Sequence, residues 1–153
     1  MVSLAARTLA EGEAQGRLLV LDTPLSFWGG LDPTTGRVID RSHPACGRSL
    51  AGRILVMASG RGSSSSSSVL AEAIRRGTAP AGIVLAEPDP IVAVGALVAH
   101  RLYRLACPVV VVADLAPLRE GGTARITAPA GAPARIELTG STDEPERSSP
   151  AVS

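Results

Sequence analysis

Between Arg53 and Val112 the chain alternates apolar runs of strand length with longer amphipathic ones, and few folds accommodate that order. Arg53-Ile54-Leu55-Val56-Met57 reads as a buried strand, apolar and β-branched within about five residues. A helix is predicted near 67–76, a strand near 82–86, a helix near 91–104 and a strand near 108–113. Strand–helix–strand–helix–strand implies parallel pairing through right-handed crossovers, because a parallel neighbour cannot be reached by a tight hairpin. Such a sheet is covered on both faces, which suits the continuous runs Ile83-Val84-Leu85 and Val109-Val110-Val111-Val112. The first helix carries its own stop signal: Arg75-Arg76 in the last turn, Gly77 just past it and Pro80 beyond. Leu70 and Ile74, four apart, supply its inward stripe. The class is α/β.

Shorter strands are predicted near Ala6 to Ala10 and Leu18 to Leu21, joined by a turn around Gly12-Glu13-Ala14-Gln15-Gly16. From Thr23 to Ala51 the chain is irregular and rich in Gly, Pro and Asp; loops of that length in a compact domain are usually functional. Ala124 to Thr127 and Ala134 to Leu138 look like two further strands around a Pro/Gly turn. The expectation is one domain over 1–138, with a polar, Pro/Ser-rich disordered tail over 139–153.

The predicted crossover from the strand at 53–57 to the first helix contains an unusual device. Arg61-Gly62 runs straight into six consecutive serines, Ser63 to Ser68, and then into Val69-Leu70-Ala71. An isolated serine run reads as a flexible linker, but linkers join domains, and here ordered elements abut both ends. A strand, a glycine turn and a helix N-terminus bring backbone N–H groups and hydroxyls to one point. The unpaired N–H groups and the helix dipole both favour negative charge there, so the point suits a carboxylate or phosphate. At least one serine is expected to serve as N-cap.

Composition excludes several classes of partner. A net charge of +1 gives no nucleic-acid footprint and no attraction to a membrane surface. With one Phe, one Trp and one Tyr there is no aromatic platform for stacking bases. No apolar stretch approaches the ~20 residues that span a bilayer, and no signal peptide is read at the start. Cys46 and Cys107 share no CxxC or Cys/His spacing, so they cannot by themselves hold zinc or an iron–sulfur cluster. They are read as two unpaired thiols in a reducing, cytoplasmic setting. All 15 basic residues are arginine, which together with heavy Ala, Gly and Pro usage looks like a GC-rich genome.

Within the irregular stretch stands Pro24-Leu25-Ser26-Phe27-Trp28-Gly29-Gly30-Leu31-Asp32-Pro33. Thr35-Gly36-Arg37-Val38-Ile39-Asp40, His43-Pro44, Gly47 and Gly60-Arg61-Gly62-Ser63 follow it. Over about residues 5–113 this resembles the small subunit, or swivel domain, of the aconitase X family. That family includes cis-3-hydroxy-L-proline dehydratases and archaeal phosphomevalonate dehydratases. The resemblance implies a swivelling β/β/α domain with a parallel-containing central sheet and flanking helices. It implies an active site shared with a large subunit that holds an iron–sulfur cluster, and dehydration of a small hydroxy acid with a swivel-domain serine as base. In that chemistry the partner's metal centre serves as Lewis acid. The serine is the one after Gly-Arg-Gly, which carries over to Ser63. Family members often show a mixed Ser/Cys/Thr/Gly stretch there; here it is all serine, which makes Ser64 and Ser65 credible substitutes.

Around Ser63 the expected substrate contacts are Arg61, Gly62, Ser64 and Ser65, with Trp28, Gly29 and Gly30 from the Ser-Phe-Trp-Gly-Gly motif. Arg61 is read as binding a substrate carboxylate rather than as a solvated charge. Trp28 is left open between a core residue and a ring presented to the intersubunit cleft. His43 lacks a carboxylate orienter in sequence and is read as making a structural hydrogen bond rather than as a proton relay; Asp32 and Asp40 fit turn chemistry. Hydroxyproline dehydration is favoured over phosphomevalonate dehydration, on the associational ground of the bacterial-looking composition. The competing readings are a non-catalytic module that kept the swivel fold, its serine run having drifted, and an independent anion binder.

Overall fold

The computed structural model describes residues 2–139. Its strands are β1 (Val2–Ala10), β2 (Gly12–Val20), β3 (Ile54–Met57), β4 (Gly82–Leu85), β5 (Val109–Val111), β6 (Thr123–Ala128) and β7 (Ala134–Thr139). They close into a barrel in the order β1-β5-β4-β3-β2-β6-β7. The helical segments are α1 (Phe27–Gly30), α2 (Ser66–Arg76) and α3 (Pro90–Tyr103). One arc of the barrel is parallel, β2-β3-β4-β5, and the remainder is antiparallel.

Strands β1 and β2, each nine residues long, join the two halves of the barrel. Val2 to Ala6 of β1 pair with β7, and Arg7 to Ala10 pair with β5, with a shift of register between Thr8 and Ala10. Gly12 to Arg17 of β2 pair with β6, and Leu18 to Val20 pair with β3. The expected turn over Gly12 to Gly16 is therefore the first half of a strand, and Glu11 alone separates β1 from β2. Glycine content misled there. Glu13, Gln15 and Arg17 alternate with Ala14 and Leu18, the period of a half-buried strand. Gly16 is small because a Cβ on it would stand 2.6 Å from the Gly52 carbonyl oxygen.

Because side chains alternate across a strand, the parallel arc feeds two cores. Leu55, Met57, Ile83, Leu85 and Val109 face α2 and α3 and meet Leu70, Ile74, Val92 and Ala96. Ile54, Val56, Val84 and Val110 face the barrel interior and meet Ala124, Ile126 and Ile136 from the antiparallel arc. Both faces of the parallel arc are thus buried, one by helices and the other by β-structure, giving the β/β/α layering.

Residues 23–51 are irregular but anchored. Two isolated bridges, Leu31–Val38 and Arg37–Ser49, pin the stretch to itself. Leu25, Phe27, Leu31, Val38 and Leu50 insert into the helix-side core, each at most 2% exposed. Burial of such side chains is worth about 1.5–3 kcal/mol apiece. Thr139, assigned to the tail by composition, is the last residue of β7. The rest of the expected disordered tail, 140–153, lies outside the described residues.

Candidate active-site cleft at the serine turn

The site is built where β3 leaves the sheet. The chain turns through Gly60-Arg61-Gly62 and enters α2 through the serines. Asp89 holds that turn from the other side. Its Oδ1 accepts the N–H groups of Ile91 and Val92 at 2.9 and 3.3 Å, capping α3 ahead of Pro90. Its Oδ2 accepts Gly60 N–H at 3.0 Å. A Cβ on Gly60 would sit 2.5 Å from Asp89 Oδ2, so the clamp requires glycine. Gly62 has φ +96°, and a Cβ there would run into the Ser26 hydroxyl.

The six serines, chemically identical, occupy different environments. The carbonyls of Ser63, Ser64 and Ser65 accept from the N–H groups of Ser66, Ser67 and Ser68 at 2.9, 3.1 and 3.1 Å, a tight turn leading into α2. Ser63 Oγ accepts Ser65 N–H at 3.0 Å, a local turn ahead of the helix; a serine, Ser65, does stand at the N-cap of α2, but its side chain makes no capping bond. Ser66 is 3% exposed, and its Oγ accepts Trp28 N–H at 3.0 Å. Ser67 donates to the Ile91 carbonyl at 2.6 Å and ties α2 to α3. Ser63, Ser64 and Ser65 are exposed.

A cleft of about 200 Å³ opens beside this turn, lined by Leu25, Phe27, Gly60, Arg61, Gly62, Ser66, Asp89, Ile91 and Val92. Of the expected site residues, Arg61 and Gly62 form its wall. Ser63, Ser64 and Ser65 stand exposed on the stretch between Gly62 and Ser66 rather than in its lining. Trp28 is 58% exposed, which removes the core reading. Its backbone is fixed on both sides: the N–H on Ser66, and the carbonyl accepting from Ser26 Oγ at 3.0 Å. Gly29, at φ +79°, allows the reversal that follows. Gly30 is buried, and a Cβ on it would meet Leu25 at 3.0 Å, so it serves packing.

Among the described residues no carboxylate lies within 4.0 Å of the Arg61 guanidinium. At longer range Asp40 feels its charge. The Asp40 carboxyl is lowered from its ordinary value, chiefly by the Ser42 hydroxyl and amide, with His43 and Arg61 adding to the effect. Asp32 closes a comparable turn, accepting Thr34 N–H at 2.9 Å. His43 is buried and its ring is fully engaged: Nδ1 accepts Ala45 N–H at 3.0 Å, which leaves Nε2 to donate to the Thr23 carbonyl at 2.9 Å. The structural reading of His43 holds.

Asp89, Ser66 and Ser67 were not foreseen as parts of the site. For Asp89 the signal was present, an Asp-Pro step immediately before an apolar helical run. For the two serines no signal distinguishes them from their neighbours.

The aconitase X swivel domain model matches residues 3–134. The chain belongs to the aconitase X swivel domain family. It is 53% identical over 106 residues to cis-3-hydroxy-L-proline dehydratase of Pseudomonas aeruginosa, a match covering 69% of this chain and 18% of that protein. It is 43% identical over 121 residues to the phosphomevalonate dehydratase small subunit of Methanopyrus kandleri, covering 76% of this chain and 90% of that one. Among solved structures, the aconitase X of Thermococcus kodakaraensis in its holo-form superposes with a TM-score of 0.80 at 35% identity, covering 92% of this chain and all of that chain. The family match and this likeness agree with the β/β/α layering and with the parallel arc. Because the chain spans under a fifth of the hydroxyproline dehydratase, only part of that enzyme has a counterpart in this swivel domain.

The iron–sulfur cluster implied by the resemblance finds no ligand set among the described residues. Among the described residues no three His, Cys, Asp or Glu side chains are grouped as metal ligands would be. Cys107 is buried, and burial pushes its thiol up to about 12, where it stays protonated and a poor ligand. Cys46 is exposed and alone. No described helix is long and apolar enough to cross a membrane.

Proposed function

We propose that this chain is the small subunit of an aconitase X-type hydro-lyase, that Ser63 is its catalytic base, and that its substrate is cis-3-hydroxy-L-proline. The observation that carries the reading is the state of the Ser63 oxygen. It is exposed, it already accepts one backbone N–H, and it stands in the turn two residues ahead of the N-cap of α2, two residues from Arg61, which has no carboxylate within 4.0 Å among the described residues. A serine hydroxyl is a poor base unless its anion is stabilised. A hydrogen bond donated to the oxygen and the positive end of α2 both favour the alkoxide over the hydroxyl.

In the proposed reaction the Ser63 alkoxide takes the proton from the carbon bearing the carboxylate. The electron pair left behind forms the double bond as the neighbouring hydroxyl departs as hydroxide, and Ser63 then releases the proton it took through solvent, so that the net loss is one water and the alkoxide is restored. Arg61 and the N–H groups of Gly62 and Ser63, which have no acceptor among the described residues, hold the substrate carboxylate. Gly60 and Gly62 let the backbone come close to it. Ser64 and Ser65, exposed on the same turn, extend the hydroxyl rim of that carboxylate site. The Trp28 ring, projecting from a fixed backbone, screens the substrate from water on the far side, and Gly29 shapes the turn that presents it; Gly30 supports both from below.

We assign the iron–sulfur group to a large subunit, as the absence of a fitting ligand set among the described residues favours. No step performed by this chain's residues passes through it. The substrate assignment rests on the 53% identity to the Pseudomonas hydroxyproline enzyme; the Hypocrea jecorina one, at 42%, falls within the 37–45% of the phosphomevalonate small subunits. The complex with the cognate large subunit, offered both substrates, should turn cis-3-hydroxy-L-proline into an enamine that rearranges to a cyclic imine. Dehydration of phosphomevalonate alone would overturn the substrate assignment.

A further inference from the structure

The outward face of α3 carries a run of exposed apolar side chains that no other described helix or strand has. On β2, β6 and β7 the exposed positions are Glu13, Gln15, Arg17, Arg125 and Arg135, on β1 Val2 stands with Ser3, Ala5 and Arg7, and on α2 they include Arg75 and Arg76, paired to Glu72. On α3, Val94, Leu97, Val98 and Leu102 are 46, 44, 39 and 65% exposed, and their spacing puts them on one stripe. Ala93, Ala96 and Ala99 meanwhile face the protein. A helix apolar on both sides is a helix with something packed on both sides.

We propose that this stripe is the docking surface for the large dehydratase subunit, which rests on the reading of the chain as a small subunit. Three observations select that occupant. First, the stripe is continuous with the active-site cleft: Ile91, one turn before Val94, lines it. A body that closes over the cleft to complete the site therefore extends along α3. Second, the same domain matches 90% of a separate small subunit and only 18% of a longer single chain. The rest of that longer chain needs a face to pack on, and the charged faces are unsuited to a dry contact. Third, Arg101 and Arg104 flank the stripe, exposed and with no carboxylate within 4.0 Å among the described residues. They call for an apolar partner surface rimmed by carboxylates. A symmetric pair of copies would instead bring the arginines of both chains around one seam.

The test is the affinity of the full-length chain for its cognate large subunit, measured by titration calorimetry, together with turnover at saturating small subunit. Leu97→Asp and, separately, Leu102→Asp should each weaken association by about 10–100-fold, the loss expected of an interface anchor. Turnover of the saturated complex should stay within about twofold of the parent, which separates this result from a failure of the catalytic assignment. Arg135→Glu, on the opposite layer, should leave affinity unchanged. Since Leu102 is 65% exposed, its replacement should leave the circular dichroism and Tm of the isolated chain intact. Unchanged affinity in both stripe variants would overturn the proposal. So would a concentration-dependent dimer of the isolated chain that the variants abolish without loss of large-subunit binding.

Discussion

Six identical side chains in a row, Ser63 to Ser68, do not share one situation, and the distinction lies in the backbone they sit on. Ser66 is the one sealed from water, and its hydroxyl is the acceptor for Trp28 N–H. Ser66→Ala should cost about 1–3 kcal/mol in urea unfolding, the penalty for stranding that N–H, whereas Ser64→Ala should lie within about 0.5 kcal/mol of the parent. Equal effects at the two positions would mean the run is an undifferentiated linker. The same logic applies at Gly62, where the left-handed φ and the Ser26 hydroxyl exclude a Cβ. Gly62→Ala should lose about 1–3 kcal/mol and displace the turn carrying Ser63, seen as a fall in both stability and turnover. A variant as stable and active as the parent would remove the steric argument for that glycine.

The helix α2 shows how an element's C-terminal end is written in its residues. Gly77 takes the left-handed cap at φ +79°, its N–H turned back on the Ala73 and Ile74 carbonyls, as the Arg75-Arg76-Gly77 signal required. On its exposed side Glu72 accepts from Arg75 at 2.6 and 2.8 Å and from Arg76 at 2.7 Å, and these bonds lower its carboxyl to about 2. A depressed folded-state value means the contribution is complete above the ordinary value of 4.5 and is lost as pH falls from there through about 2. Glu72→Gln should therefore shrink the loss of stability between pH 4.5 and 2, and leave a slope unchanged above pH 5. An identical acid profile in the variant would contradict the pairing. Strands β3, β4 and β5 were equally plain from their β-branched runs. The first half of β2 was not, because Gly12 and Gly16 look like turn residues until the barrel supplies β6 as a partner and Gly52 as a close neighbour. Local pattern cannot carry a pairing made more than a hundred residues away. The site divides the same way: the glycines, Arg61 and Ser63 were marked by motif, while the Asp89 clamp depends on a contact across 29 residues.

As a whole the molecule is a rigid two-core frame with one functional edge. The parallel arc is buried on both faces, so its amides should exchange only through global unfolding. Hydrogen exchange should place Leu55, Val56, Ile83 and Val84 in the slowest class and the exposed serine turn in the fastest. Fast exchange at β3 and β4 would contradict the two-core packing. The cleft at the β3–α2 turn is lined by Ile91 of α3 and by Ser66, whose hydroxyl holds the Trp28 backbone, and it is there that we propose a second polypeptide completes the site. The most direct measurement is the turnover of the complex of this chain with its large subunit, comparing the parent with Ser63→Ala at saturating subunit and substrate. If Ser63 is the base, kcat should fall roughly 10²–10⁴-fold, about 3–5.5 kcal/mol of barrier, with affinity for the large subunit unchanged. Near-parental turnover by the assembled variant would contradict it.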